Sequence, residues 1–184
     1  YSNVVGMSND SCEVTPEGHY SQAGSPFPIP CPTGTFQPQA GQSSCTISLP
    51  GHYVPEPALL SQVECSEGSY QPNFGSTQCI ISSQGHFVEA AGLSTQTPCP
   101  SGTFSNLIGA ISVDVCKISP PGSYSGEGSA SSMFCKTGEF QPEAESSSCE
   151  KSSPGHFVNV EGSETQFACD AGTYQPLPAQ SGCL

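Results

Sequence analysis

A Gly-x-aromatic step recurs ten times along this chain of 184 residues, and each step is followed by a cysteine. The steps are Gly18/Tyr20, Gly34/Phe36, Gly51/Tyr53, Gly68/Tyr70, Gly85/Phe87, Gly102/Phe104, Gly122/Tyr124, Gly138/Phe140, Gly155/Phe157 and Gly172/Tyr174. Two steps fall within each period of roughly 34 residues, and self-similarity at such a period is the signature of a repeat architecture. We therefore expect a tandem array in which each repeat packs chiefly on its neighbours.

The composition argues against one large hydrophobic core. Only 34% of the residues are apolar, there is no Trp, and the chain contains 20 Gly and 18 Pro. Its 11 cysteines supply another source of stability, because disulfides replace buried area in small modules and persist in oxidising compartments. We predict a small disulfide-rich, all-β fold, an elongated tandem array of short β-hairpin modules with little or no helix, outside the cell or on its surface.

Charge and hydropathy each argue against one kind of interaction. The formal net charge is −13, and the chain has three lysines and no arginine, so it lacks the cationic surface that a phosphate backbone requires. No apolar run approaches the roughly 20 residues that span a bilayer. We expect neither nucleic-acid binding nor a membrane span.

The cysteines divide the repeat into two halves. The short half measures 14 steps between cysteines, or 17 in one case: Cys31 to Cys45, Cys65 to Cys79, Cys99 to Cys116, Cys135 to Cys149 and Cys169 to Cys183. The long half measures 19 or 20 steps: Cys12 to Cys31, Cys45 to Cys65, Cys79 to Cys99, Cys116 to Cys135 and Cys149 to Cys169. A Gly-x-aromatic step followed by a Gly-bearing turn predicts a hairpin in the short half, with the two cysteines at its ends.

The long half contains Pro-Gly-His-aromatic or a variant, and ends in Gln-x-x-Cys at Gln62, Gln96 and Gln166. Two residues after its opening cysteine stands a β-branched residue, with Lys151 as the exception. These residues are Val14, Ile47, Ile81 and Ile118. With the aromatic residues and the half-cystines, they are the expected material of a thin core.

An odd number of cysteines leaves one unpaired, and the sequence permits two schemes. Pairing within the short halves forms five bridges and leaves Cys12, whereas pairing across the long halves leaves Cys183. We favour the first scheme because the short loop keeps a nearly constant length. Cys12 is then unpaired, or pairs upstream or with another molecule.

The repeats define the expected domain boundaries. Residues 1–12 form a partial repeat, followed by repeats at 13–45, 46–79, 80–116, 117–149 and 150–184. The third repeat carries a three-residue insertion in the most apolar stretch of the chain, Leu107 to Val115. This stretch is predicted to form a contact patch of Leu107, Ile108, Ile111 and Val113, either a lateral contact between protomers, which we favour, or a ligand-binding patch.

Other candidate sites have simpler explanations. Four histidines, His19, His52, His86 and His156, share one repeat position, where a metal-binding column or half-exposed rings stacked on aromatic neighbours are alternatives. The wide cysteine spacing favours disulfides over zinc, and the scattered carboxylates allow weak calcium binding at most. No catalytic motif is present, so we expect no enzyme and no cofactor. Asn9, in Asn-Asp-Ser, is a candidate glycosylation site.

The motif Cys-x-x-Gly-x-aromatic…Gly…Cys resembles the ephrin-receptor-like cysteine-rich repeat, which is similar to the first loop of tumour-necrosis-factor-receptor modules. Tandem copies of this kind appear in long secreted or surface proteins of microbes and protists, where they look like stalks, adhesins or filament proteins. Receptor modules add further cysteines, whereas Cys45 is followed by Thr-Ile-Ser-Leu-Pro-Gly. This departure favours a mechanical role over cytokine-like ligand binding.

We therefore expect a segment or subunit of an extracellular filament, stalk or surface appendage whose repeats stack head-to-tail and whose partner is another copy. The alternative is an adhesin or receptor-type ectodomain that binds a protein or glycan along one face.

Overall fold

The structure, a computed structural model, describes residues 12–184. The described chain forms two compact units. One comprises residues 12–81 together with Val88–Gln96, and the other comprises Ser82–Phe87 together with Thr97–Leu184.

Nine antiparallel hairpins make up the described chain, and every strand is two residues long. The first unit holds β1 (His19–Tyr20) with β2 (Ile29–Pro30), β3 (Thr35–Phe36) with β4 (Thr46–Ile47), β5 (His52–Tyr53) with β6 (Val63–Glu64) and β7 (Ser69–Tyr70) with β8 (Ile80–Ile81). The second unit holds β9 (His86–Phe87) with β10 (Thr97–Pro98), β11 (Thr103–Phe104) with β12 (Lys117–Ile118), β13 (Ser123–Tyr124) with β14 (Met133–Phe134), β15 (Glu139–Phe140) with β16 (Glu150–Lys151) and β17 (His156–Phe157) with β18 (Phe167–Ala168). A 3-10 turn at Val113–Val115 is the helical element of the described residues.

The predicted fold class is confirmed: the described chain is a series of small antiparallel hairpins with five disulfides and almost no helix. The long halves fold in the same way as the short halves. In the long half, Tyr53 pairs with Val63, just as Phe36 pairs with Thr46 in the short half. The structural unit is therefore one half of the sequence repeat, which we call the half-module.

The core consists of small side chains, and the sequence-based expectation about its members was right for half-cystines such as Cys31 but wrong for the β-branched residues. Val14 is 71% exposed, Ile47 55%, Ile81 60% and Ile118 55%, and the last three lie in the exposed second strands of their hairpins. The fully buried side chains include Val54, Val88 and Val158, which directly follow the aromatic residue of three long halves. Half-cystines and serines fill most of the remaining space.

Cysteine and serine alternate at one buried position of successive half-modules. Ser48, Ser82, Ser119 and Ser152 are fully buried, as are Cys31, Cys65, Cys99 and Cys135. Every buried side-chain nitrogen and oxygen atom of residues 12–184 has a hydrogen-bond partner. A narrow core with polar side chains is stable when all of these groups are hydrogen-bonded, because only an unpaired buried polar group costs its full desolvation free energy.

Four of the five disulfides join successive hairpins. Cys31 directly follows β2, Cys45 directly precedes β4, and their Cα atoms lie 5.8 Å apart. The other bridges are Cys65–Cys79, Cys99–Cys116, Cys135–Cys149 and Cys169–Cys183, with Cα separations of 5.7 or 5.8 Å. These distances are typical of disulfides, and the pairs are those favoured by the short-half spacing.

Removing one bridge should cost a predictable part of the stability. We expect Cys65→Ser with Cys79→Ser to lower the free energy of unfolding by about 3 kcal/mol, because the reduced chain regains the entropy of an open loop of about 15 residues. Urea unfolding followed by circular dichroism measures the change. Cys12→Ser is the matched control, since Cys12 is exposed and forms no disulfide. Equal stability of the double variant and the control would contradict this role for the bridge.

Candidate functional site: the backbone ladder between half-modules

Successive half-modules are joined by a repeated backbone hydrogen bond. In nine of the ten Gly-x-aromatic steps, the N–H of the Gly donates to the carbonyl of the residue that follows the next aromatic. In the first unit these bonds are Gly18 to Gln37 (2.8 Å), Gly34 to Val54 (2.9 Å), Gly51 to Gln71 (2.7 Å) and Gly68 to Val88 (2.9 Å). The second unit repeats the pattern with Gly85 to Ser105 (2.7 Å), Gly102 to Ser125 (2.8 Å), Gly122 to Gln141 (2.7 Å), Gly138 to Val158 (2.7 Å) and Gly155 to Gln175 (2.6 Å). We call this series the glycine ladder.

A second series of bonds ties the turn of each half-module to the preceding one. The N–H of a turn residue donates to the carbonyl of the buried Cys or Ser near the start of the preceding half. In the first unit Ala58 donates to Cys31 (2.9 Å), Gly75 to Ser48 (2.9 Å) and Gly92 to Cys65 (2.8 Å). In the second unit Gly128 donates to Cys99 (2.9 Å), Glu145 to Ser119 (2.9 Å) and Gly162 to Cys135 (2.8 Å). Two independent backbone bonds thus fix the spacing of each pair of neighbours.

The ladder brings backbones together so closely that a side chain is excluded. Gly51 has φ +81°, and a Cβ built on it would lie 2.7 Å from the carbonyl carbon of Gly92, two half-modules ahead. Real Cβ atoms do not approach backbone so closely. The recurring Gly-x-aromatic steps therefore mark the surface on which one half-module receives another.

The short half is closed by a glutamine in addition to its disulfide. In the Gln-Pro step, buried Gln37 donates from Nε2 to the carbonyl of Ser44 at 2.9 Å and accepts the N–H of Gln39 at 3.1 Å. The same pair of bonds is made by Gln71, Gln141 and Gln175. At the equivalent position, three long halves carry the buried valines of the core.

In three of the long halves a glutamine, Gln62, Gln96 or Gln166, stands where the short half has its second cysteine. Gln62 follows Ser48 by 14 residues, the separation of a short-half cysteine pair, and its Oε1 accepts the N–H of Leu49 at 2.8 Å. Gln166 accepts the N–H of Ser153 at 2.7 Å in the same way. We call this bond the glutamine clamp. The recurrence of Gln-x-x-Cys was visible in the sequence, but its correspondence to the second cysteine was not.

The histidines cap turns. Nδ1 of His19, His52 and His86 lies 3.0 to 3.1 Å from the backbone carbonyl two residues earlier, and the distance is 3.4 Å at His156. Thr35, Ser69 and Ser123 take the same place in other half-modules and donate from their hydroxyls to the carbonyl three residues earlier. Residues 12–184 bring together no group of three or more His, Cys, Asp or Glu that could hold a metal ion.

The remaining predicted sites are distributed over the surface. Leu107, Ile108, Ile111 and Val113 of the predicted contact patch are all exposed, the last at the start of the 3-10 turn. Cys12 is exposed and unpaired. Asn9 lies outside the described residues. In the part of the chain that the structure describes, no helix is long and apolar enough to cross a membrane.

A shallow groove on the second unit has mixed chemistry. It is lined by Phe157, Asn159, Phe167, Ala168 and Asp170. The two phenylalanine rings face each other at 42°, with their centroids 6.0 Å apart. Sequence reasoning missed this groove, because Phe157 and Phe167 meet only through the pairing of β17 with β18.

These features define a class of protein, the small extracellular-type repeat closed by local disulfides. Residues 18–58 match the family model described as tyrosine-protein kinase ephrin type A/B receptor-like. This match and the five disulfides in a repeated pattern fit cysteine-rich repeats of the ephrin-receptor-like kind. Such disulfide-rich repeats are typical of non-catalytic extracellular modules. Comparison with curated proteins finds no match.

Two substitutions separate the stability cost of the close backbone approach from the cost of placing a side chain on left-handed backbone. Gly51→Ala and Gly24→Ala both place a Cβ on left-handed backbone, with φ of +81° and +79°, but no heavy atom lies within 4 Å of a Cβ at Gly24. Gly24→Ala should lower the free energy of unfolding by about 1–2 kcal/mol from its dihedral alone. Gly51→Ala should cost about 1–3 kcal/mol more, because the backbone of Gly92 must move.

Urea unfolding of both variants measures the difference. If the two substitutions cost the same, the approach of the two backbones does not contribute to stability.

Proposed function

We propose that the chain is a structural segment of an extracellular filament, stalk or surface appendage, in which half-modules, every second one closed by a disulfide, stack head-to-tail. One observation carries this proposal: each half-module offers its successor the same donors and acceptors that it receives from its predecessor. The glycine ladder and the turn bonds recur with the same partners within each unit. An interface that reproduces itself at each step continues without closing, which is the requirement for a fibre.

The apolar insertion is a candidate for lateral contact between neighbouring molecules of such a filament. Leu107, Ile108, Ile111 and Val113 expose apolar surface within the loop closed by Cys99 and Cys116. In a homopolymer, a second copy of the chain would cover this apolar surface. We propose that this patch joins neighbouring protomers.

Electron microscopy of the native protein tests assembly. Negative staining should show regular fibres in oxidising buffer and their loss after reduction, because the half-modules depend on their disulfides. Dispersed single molecules under oxidising conditions would contradict the filament.

Charged substitutions test the lateral contact. Ile108→Asp with Ile111→Asp should block lateral association and leave the unfolding curve unchanged, since the two side chains are 67% and 52% exposed. Ile47→Asp with Ile81→Asp, at 55% and 60% exposure, is the matched control and should assemble normally. Analytical ultracentrifugation compares them, and equal assembly of the two variants would dismiss the patch.

An adhesin or receptor-type ectodomain is the second candidate function, and the groove of Phe157 and Phe167 favours it. Apolar rings beside the amide of Asn159 and the carboxylate of Asp170 give the mixture of contact surface and hydrogen-bonding groups found in ligand sites. Binding of the native protein to a glycan or protein array, lost in Phe167→Ala and without fibres in the microscope, would favour this function over the filament.

A further inference from the structure

The two kinds of half-module differ in what closes them. In the short half Cys31–Cys45, a covalent sulfur bridge connects the two ends. A pulling force that enters at Cys31 passes through the two sulfur atoms to Cys45, so that the backbone between them carries no load. The residues of a short half therefore cannot lengthen the chain while the bridge is intact.

No covalent bond closes the long half from Cys45 to Cys65. Its ends are joined by the glutamine clamp from Leu49 N–H to Gln62 Oε1, by the pairing of β5 with β6, and by the ladder bonds of its neighbours. Its fully buried Val54 adds one small apolar contact. All of these interactions are non-covalent, so tension applied to the chain loads them directly.

The second unit has the same arrangement. The long half from Cys149 to Cys169 is closed by the clamp from Ser153 N–H to Gln166 Oε1 and by the pairing of β17 with β18. It lies in the chain between the bridges Cys135–Cys149 and Cys169–Cys183. In both units, segments that can open alternate along the chain with segments that cannot.

We infer that the array is an extensible element, in which tension opens the long halves one by one while the short halves stay closed. This inference rests on the proposed structural function and adds a mechanical property to it. A long half such as Cys45 to Cys65 spans 20 residue steps. At about 3.5 Å per residue its opening releases about 70 Å of chain. Strand pairing, together with the glutamine clamp in the halves that contain it, then resists opening, and refolding of the hairpin restores the length.

Single-molecule force spectroscopy on the whole chain, held by handles at its two ends, tests the inference. Under oxidising conditions we expect successive extensions of about 70 Å each. After reduction the total extension should grow, because the closed loops hold four spans of 14 steps and one of 17, or 73 steps together. That growth amounts to about 250 Å.

A sixth bridge provides a sharper comparison. Ser48→Cys with Gln62→Cys places two cysteines at the short-half separation of 14, and a disulfide between them should shorten the total oxidised extension by about 50 Å. Ser48→Ala with Gln62→Ala is the matched control, which removes the clamp without a bridge. It should keep the full extension and open one half at lower force.

Three results would overturn the inference: opening of all long halves in one step, the same total extension before and after reduction, or an unshortened double-cysteine variant whose sixth bridge is shown by mass spectrometry. If the new bridge does not form, the comparison of total extension before and after reduction still tests the inference. Since single chains are pulled, failure here leaves the assembly seen by microscopy untouched, and failure of assembly leaves the extension measurable.

Discussion

The close contact between the backbones of consecutive half-modules is the constraint on which the rest of the structure depends. The bond from the Gly51 N–H to the Gln71 carbonyl places one hairpin against the next, and the Gly92 turn covers Gly51 from two half-modules ahead. Because these contacts are made by backbone, they do not depend on large apolar side chains. A chain that is only 34% apolar can therefore hold a regular array.

The short and long halves adopt the same backbone conformation with two different sets of side chains. The short half uses a disulfide and a buried Gln such as Gln37, whereas the long half uses a buried Ser, a buried Val such as Val54, and a glutamine clamp. A disulfide closing a loop of about 15 residues is worth about 3 kcal/mol, and a hydrogen bond contributes about 0.5–1.5 kcal/mol. The two halves therefore share a geometry and differ in strength, so that stability is distributed unevenly along the array.

The hairpins, the disulfide-rich class and the absence of a large core could be predicted from the sequence, because Gly-x-aromatic spacing and cysteine spacing are local properties. The core residues could not. Ile47 looks like core material from its hydrophobicity and is 55% exposed, while Val54 is fully buried. Burial depends on which side chain faces the neighbouring half-module, and that direction follows from the ladder rather than from hydropathy.

The equivalence of the two halves was hidden for a related reason. Cysteine counting gives a repeat of about 34 residues, whereas the structure repeats at every Gly-x-aromatic step. The correspondence of Ser48 to Cys31, and of Gln62 to Cys45, becomes evident only when their places in the hairpin are compared. The groove between Phe157 and Phe167 likewise arises from strand register, which spacing alone does not fix.

Hydrogen exchange at the ladder amides tests the central claim most directly. The N–H groups of Gly34, Gly51 and Gly122 each donate to the next half-module, whereas the described residues provide no backbone acceptor for the N–H of exposed Gly24. Buried, bonded amides exchange only through opening of the structure. The ladder amides should therefore exchange orders of magnitude more slowly than the Gly24 amide, and exchange at the same rate would show that the half-modules are not held together through their backbones.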